Sequence, residues 1–254
     1  MDISTLIGFV IALFSLLFSI HHTAGEKWYV FVSPGEMLIV FGTTIGALFV
    51  TFKLNDVFAA FKAALRIFIA PKEDPEGTIG QIVKCAEVAR KDGILALEPI
   101  AQQVTDPFLS QGLRLAIDGT DPDSIETILQ NKLDSMEVRH NRSKFFYEVA
   151  GRACPTFAMC GTLIGIIFML QSLEDPKKIG TGLGAAMVAT LYGAVGANLL
   201  FLPIAEKLKN QHGDEMLSRK IIIQGIVSIQ AGDNPGIVEE KLMTFLVAKK
   251  KAAA

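Results

Sequence analysis

Two stretches in the C-terminal half decide how this chain folds: Ala153–Leu173, ACPTFAMCGTLIGIIFMLQSL, and Ile179–Ala205, IGTGLGAAMVATLYGAVGANLLFLPIA. Neither contains a charged side chain. A hydrocarbon core about 30 Å thick is crossed by roughly 20 mostly apolar helical residues, so each stretch is long enough to span it. A helix that serves only as an anchor would be rich in Leu and Val throughout. These carry Pro155, Thr156, Thr162, Thr190, Tyr192, Asn198 and Pro203, which predicts a surface that handles something polar. Yet neither holds the Asp, Glu, His or Lys that a proton or cation carrier needs inside a membrane.

The composition agrees with that class. Half of the residues are hydrophobic and only 20% are charged, and the mean hydropathy is +0.41. This places the chain among membrane proteins before any motif is read. A net charge of −2 excludes the basic footprint of a nucleic-acid binder. Cys85, Cys154 and Cys160 cannot form a closed disulfide set, and no pair has zinc-ligand spacing. They read as small buried thiols.

Two further apolar stretches precede the deciding pair, about Ile3–His21 and Glu36–Phe52. The first has no basic region before it and no clean cleavage site after it, so it is expected to be a retained span. Between them His22–Pro34 places Trp28 and Tyr29 where an interfacial aromatic belt belongs. The short connections hold only Lys27, Lys177 and Lys178, whereas Lys53, Lys62, Arg66, Arg139, Arg142, Lys144, Arg152, Lys207 and Lys209 flank the other ends of the spans. The positive-inside rule then puts both termini and the long polar segments in the cytoplasm.

The expected fold is therefore an all-α integral membrane protein with four transmembrane helices and a helical cytoplasmic domain. Spans one and two occupy residues 1–52, a cytoplasmic domain 53–152, spans three and four 153–205, and C-terminal cytoplasmic helices 206–254. The polar segments are patterned as helices: Phe58, Phe61, Leu65 and Phe68 recur at helical spacing, as do Ile79, Ile82, Val83, Ala86 and Ala89. Pro71, Pro75 and Gly77 break the pattern, with Asp74 or Thr78 able to cap the next helix. Asp121-Pro122-Asp123 opens an amphipathic stretch, Ser124–Arg139. Met216–Ile229 and Ile237–Val247 read as two short helices around the turn Asp233-Asn234-Pro235-Gly236.

Each motif has a plain and a functional reading. Gly161-x-x-x-Gly165, with Gly180, Gly182, Gly184, Gly193 and Gly196, lets helices approach closely in lipid, or else makes a smooth wall past which a partner can turn. Pro155 and Pro203 are each a kink, but on antiparallel spans the pair is expected at similar depth, which favours function. Thr162 and Thr190 back-bond to their own helices or offer hydroxyl oxygens to a hard cation such as sodium. Arg90, Lys91 and Glu98 surround a helix break at Gly93, as a solvated face or a docking patch. No nucleophile–base pair, phosphate loop or HExxH is present, and His21, His22, His140 and His212 make no cluster, so an enzyme is not expected.

Several of these stretches resemble one family in order along the whole chain. Met1-Asp2-x-Ser4-Thr5-Leu6-Ile7-Gly8, Ala89–Glu98, Asp118-Gly119-x-Asp121 and Cys154-Pro155-Thr156 are followed by Gly161-Thr162-Leu163-Ile164-Gly165. Ala189-Thr190-Leu191-Tyr192-Gly193-Ala194, Pro203-Ile204-Ala205-Glu206-Lys207-Leu208 and Asn234-Pro235 complete the match. The pattern is similar to the flagellar motor stator A-subunits, the MotA/PomA family. The resemblance implies a pentamer of A-subunits around a dimer of a MotB/PomB-like B-subunit, whose single span carries the ion-binding Asp and which binds peptidoglycan. Ion flow would turn the ring against the rotor switch protein FliG, with no cofactor. Pro155, Pro203, Thr162 and Thr190 would line the ion path, and Arg90, Lys91 and Glu98 would meet the rotor. Threonines at the positions of Thr162 and Thr190 resemble the sodium-type, PomA-like members, so Na+ is favoured over H+, held only transiently.

Arg152 stands where the family often has an acid, and Glu148 is one turn away to replace it. Pro99 follows Glu98 where further acids are usual, and Gly236 replaces a basic residue. A TolQ/ExbB-like energiser of outer-membrane processes is the alternative, disfavoured by two spans before the long polar segment. A stand-alone channel lacks its carboxylate, and a passive scaffold would not need the prolines.

Overall fold

In the computed structural model, which describes residues 3–69, 74–171 and 173–252, the chain is built from helices, with no strand among those residues. Met1, Asp2 and Pro71 lie outside them, as do the side chains of Arg66, Phe68 and Val247. α1 (Ile3–Ala24) leads into a 3₁₀ segment, Gly25–Phe31. α2 (Pro34–Met37), a π-helical turn at Leu38–Gly42 and α3 (Thr43–Thr51) then form one span. α4 (Leu54–Ile69), α5 (Pro75–Asp92), a 3₁₀ turn at Ile94–Leu97, α6 (Glu98–Gln103) and α7 (Pro107–Ile117) follow. α8 (Pro122–Leu170) carries the third span, and α9 (Pro176–Val195) the fourth. The fourth continues through a π-helical turn, Gly196–Phe201, into α10 (Leu202–Gln230), and α11 (Pro235–Ala252) ends the described chain.

Among the described residues, four helices are long and apolar enough to cross a membrane. Two sequence expectations change. Ser124–Arg139 is not separate from the third span, because α8 runs unbroken from Pro122 to Leu170. Likewise Met216–Ile229 is the end of the helix that continues the fourth span, not a short helix of its own. Nothing between Arg139 and Arg152 or between Glu206 and Met216 supplies a turn strong enough to stop a helix, and Pro155 removes only a single hydrogen bond from α8.

The helix starts follow the caps expected of them. Asp74 accepts from the Gly77 N–H at 3.0 Å, and Thr78 back-bonds to the Asp74 carbonyl. Asp121 accepts from the Ser124 N–H at 2.9 Å, and hydrogen bonding from the Ser124 hydroxyl, together with that N–H, holds its carboxyl below the usual carboxylate range. Asn234 accepts from Gly236, so the turn before α11 is also a cap.

The chain divides into two compact units: residues 1–71 with 140–209, and residues 72–139 with 210–254. This boundary differs from the expected one, since α4 and the start of the third span belong with the membrane part. In the first unit Val57, Ala60 and Ile67 of α4 pack with Phe146, Tyr147 and Ala150. The Tyr147 hydroxyl donates to the Ala60 carbonyl at 3.1 Å. Three of the apolar residues read from the sequence lie elsewhere on α4: Phe58, Phe61 and Leu65 are exposed. In the second unit, α5, α7, α8, α10 and α11 bury a single aliphatic core that includes Ile82, Leu113, Ile125, Leu129, Ile222 and Leu242.

Candidate functional site

The two charge-free stretches pack against each other through their glycines. A Cβ placed on Gly165 would stand 2.8 Å from the Gly182 carbonyl oxygen and 2.9 Å from the Ala186 nitrogen. One on Gly182 would stand 2.9 Å from the Gly165 carbonyl oxygen, and one on Gly161 2.9 Å from the Ala189 Cβ. Gly193 faces Ala158 and Pro155, and Gly196 faces the Cys154 sulfur and the Phe41 ring. These five glycines therefore serve close helix packing, the plain reading. Gly180 and Gly184 face open space, so any smooth wall is confined to them.

The contact between Gly161 and Ala189 sets the register of the threonines. Thr162 and Thr190 are each one residue beyond that contact, in opposite directions on adjoining antiparallel helices, so they differ in depth by about 3 Å. Each hydroxyl donates to its own helix: Thr162 to the Met159 carbonyl at 2.7 Å and Thr190 to the Ala186 carbonyl at 3.1 Å. The back-bond fixes the hydroxyl hydrogen and leaves the oxygen as an acceptor. Thr190 is exposed and Thr162 half-buried.

The prolines do not share a depth. Pro155 opposes Gly193, whereas Leu202 lies against Gly151. Pro203 is therefore about one turn nearer the basic end of the spans than Pro155, roughly 6 Å. The π-helical turn at Gly196–Phe201 immediately precedes Pro203. Proline cannot donate to the carbonyl four residues back, and a local π turn accommodates that gap. The missing acid near Pro155 is not supplied by a free Glu148. That carboxylate pairs with Lys144 at 3.4 Å, while the Arg152 guanidinium rests 5.8 Å from the centre of the Phe145 ring. Lys209 bonds to Glu206 at 2.9 Å, and this contact holds its ammonium above the ordinary value.

In the second unit, α5 ends on Arg90 and Lys91, and Gly93 turns the chain with φ +84°. That conformation favours glycine. The 3₁₀ turn buries Leu97 completely, and Glu98 opens α6 with Pro99 beside it. Bases at a helix end and an acid at a helix start also complement the helix dipoles. All three charged residues are exposed around this one break. The departure at Pro99 fits its place, since proline suits the first turn of a helix.

Two features escape the sequence reading. Thr44, fully buried, donates to the Val40 carbonyl at 2.6 Å inside the first π-helical turn, behind Cys154. Tyr192, counted in the sequence only as one polar residue of its span, accepts a hydrogen bond from the Ser33 N–H at 2.9 Å. Its own hydroxyl donates to the Phe31 carbonyl at 2.6 Å. The available signal was that a tyrosine inside a span needs a partner for its hydroxyl. Of the thiols, Cys85 and Cys154 are buried but Cys160 is exposed, which corrects the expectation that all three are buried. Burial pushes the Cys85 thiol up. Among the described residues no group of His, Cys, Asp or Glu could hold a metal ion.

Comparison with known proteins covers nearly the whole chain. The model of the MotA/TolQ/ExbB proton channel family matches residues 100–221, and that of the Motility protein A N-terminal region matches residues 6–92. Chemotaxis protein PomA of Vibrio alginolyticus is 33% identical over 99% of this chain and 98% of its own length. Motility protein A of Borreliella burgdorferi is 35% identical over 99% of this chain and 96% of its own. Among solved structures, that of C. jejuni MotAB superposes with a TM-score of 0.88 at 29% identity, covering 96% of each chain.

Proposed function

The chain belongs to the MotA/PomA family of flagellar motor stator A-subunits, and from that premise we propose that it couples inward cation flow to torque on the flagellar rotor. Five copies encircle a dimer of a MotB/PomB-like B-subunit, whose single span brings the carboxylate that this chain lacks. The MotAB composition of the superposed solved structure supports such a partner. The match of residues 6–92 to the Motility protein A N-terminal region favours this branch over a TolQ/ExbB-like energiser.

One observation carries the reading: Thr162 and Thr190 lie on adjoining charge-free helices within about 3 Å of each other in depth, with their hydroxyl hydrogens already bonded to backbone. Such oxygens can share a dehydrated cation with an incoming carboxylate but cannot hold it alone. A fixed charge in each copy would trap the ion, so its absence suits a ring that must turn past its carrier. Pro155 and Pro203, offset by about one turn, carry the route toward the basic end of the spans. That end is cytoplasmic by the distribution of Lys and Arg. On the cytoplasmic side the exposed Arg90, Lys91 and Glu98 engage the rotor switch protein FliG, where charge steering suits fast, reversible contact.

The ion is sodium. Both a PomA and a Motility protein A are among the relatives, so the preference rests on the two threonines. Swimming speed measured against external sodium at fixed membrane potential tests it. Speed should rise and saturate with sodium, and Thr190→Ala should raise the half-saturating concentration. Motility unchanged without sodium would sink the sodium assignment.

A further inference from the structure

Asn198 lies on the fourth span between Thr190 and Pro203, and the ion route described above gives it no part. Its place on the helix follows from what the other faces touch. Gly182, Ala189 and Gly193 meet the third span, while Gly196 and Tyr192 meet Phe41 of the second. Side chains advance by about 100° per residue, so Thr190 and Ala194 fall within about 40° of each other, on the face those contacts leave free. Both are exposed, and so is Asn198. A regular helix would carry Asn198 about 80° round from Thr190. Asn198 sits inside the π-helical turn Gly196–Phe201, whose wider winding turns less per residue and brings it back toward that face.

The side chain's own bond fixes which end is free. Asn198 Nδ2 donates to the Ala194 carbonyl at 3.0 Å. A carbonyl only accepts, so the nitrogen is the bonded end and Oδ1 is turned away from that carbonyl. The amide is neutral and its oxygen is a hard donor, as the threonine hydroxyls are. Depth adds a second constraint. Pro155 opposes Gly193 and Gly151 lies against Leu202, so Asn198 falls in the interval between the two prolines. From the outer side inward the oxygens come in the order Thr162, Thr190, Asn198. The last step is about 12 Å along the axis, with the exposed methyl of Ala194 between.

We propose that Asn198 is a further ion-binding residue of the route, whose Oδ1 receives the sodium ion leaving the threonine pair and passes it toward Pro203. This role rests on the ion-route reading given above. A neutral oxygen coordinates a passing cation and lets it go, whereas a fixed carboxylate at the same place would hold it. Asn198 acts on release, one step after the threonines act on capture.

The test measures swimming speed against external sodium for the full chain assembled with its B-subunit in cells. Asn198→Leu keeps the size of the side chain and removes its oxygen. The bond it loses lies within one helix, so the complex should still assemble. Maximal speed should fall about threefold or more with the half-saturating concentration unchanged or lower, the signature of a slowed step after binding. Thr190→Ala has the opposite signature, a raised half-saturating concentration. Asn198→Thr returns a neutral oxygen and should restore most of the speed. Co-purification with the B-subunit gives the amount of complex in each variant.

Unchanged maximal speed in Asn198→Leu overturns the proposal. A loss of speed that only matches a loss of assembled complex also overturns it, because the role is then structural. Failure of Asn198→Thr to recover speed does the same, since shape rather than an oxygen would matter. Thr190→Ala, measured alongside, separates this from the underlying reading. If it leaves the sodium dependence untouched, the ion route itself fails. If it moves that dependence while Asn198→Leu swims like the parent, only the part given to Asn198 falls.

Discussion

Gly165 in the third span and Gly112 in the second unit are both tightly surrounded, but by different atoms. A Cβ on Gly165 would meet the backbone of Gly182 and Ala186 at 2.8 and 2.9 Å. One on Gly112 would meet side chains alone, the end of Ile226 and a methyl of Leu129. The spans are joined backbone to backbone, while the second unit is joined through long aliphatic side chains. The solvents explain the difference. Lipid is as apolar as leucine, so burying leucine between spans gains little, and close van der Waals approach must hold them. In water the same leucines supply the main driving force, at about 25 cal/mol per Å² of apolar surface removed.

The largest effect should come from emptying the aqueous core. Leu113 is fully buried beside Gly112, and Leu113→Ala should cost about 2–5 kcal/mol. Thermal unfolding of the purified complex should show the loss as a lower melting temperature for this unit. A loss below about 1 kcal/mol would mean that the core collapses around the cavity, and the contrast between the two units would weaken.

Next in size is Gly165→Ala. Adding one methyl between two backbones that cannot retreat should cost about 1–3 kcal/mol, despite the better helix propensity of alanine. The measurement is the yield and heat resistance of the complex with the B-subunit, together with motility. If the variant assembles and swims like the parent, the spans can part freely and backbone contact is not what holds them.

These contrasts also mark what could be read beforehand. The spans were legible because a run without charge is a strong local signal, and so were the helix starts at Asp74 and Asp121, where a cap and a proline stand together. The unbroken lengths of α8 and α10 were not, because a helix continues wherever nothing stops it, and absence is a weak signal. The offset between Pro155 and Pro203 was not legible because it depends on the register of two antiparallel helices, and the π-helical turn at Gly196–Phe201 only shortens it. Periodicity could not say which glycines face a helix and which face open space. The threonine pair was legible as chemistry, but how close in depth the two lie required the register set by Gly161 and Ala189. Tyr192 could be suspected of needing a partner. Finding that partner in a loop near the other end of the sequence needed the fold.

Gly112→Ala sharpens the comparison from the side of the second unit. The Ile226 and Leu129 methyls can rotate aside, and alanine in the middle of α7 recovers up to about 1 kcal/mol of helix propensity. The two nearly cancel, so the melting temperature should stay close to that of the parent. A loss as large as that of Gly165→Ala would show the aqueous core to be as unyielding as the spans.

The smallest effect concerns charge. At the turn before α11, Lys241 bonds to Asp233 at 2.6 Å, and that hydrogen bond holds the Asp233 carboxyl below its ordinary value. A carboxyl with a depressed folded-state value adds stability above its unfolded value and loses it as the pH falls through the folded one, here below about pH 4. Both partners are partly exposed, so the contribution should be under about 1 kcal/mol and should fade in high salt. Asp233→Asn should flatten the acid limb of the melting-temperature profile by that small amount and leave pH 7 motility intact. An acid limb identical to that of the parent would place the pH sensitivity of this unit in its other carboxylates, with Asp121, held low by Ser124, the next to vary.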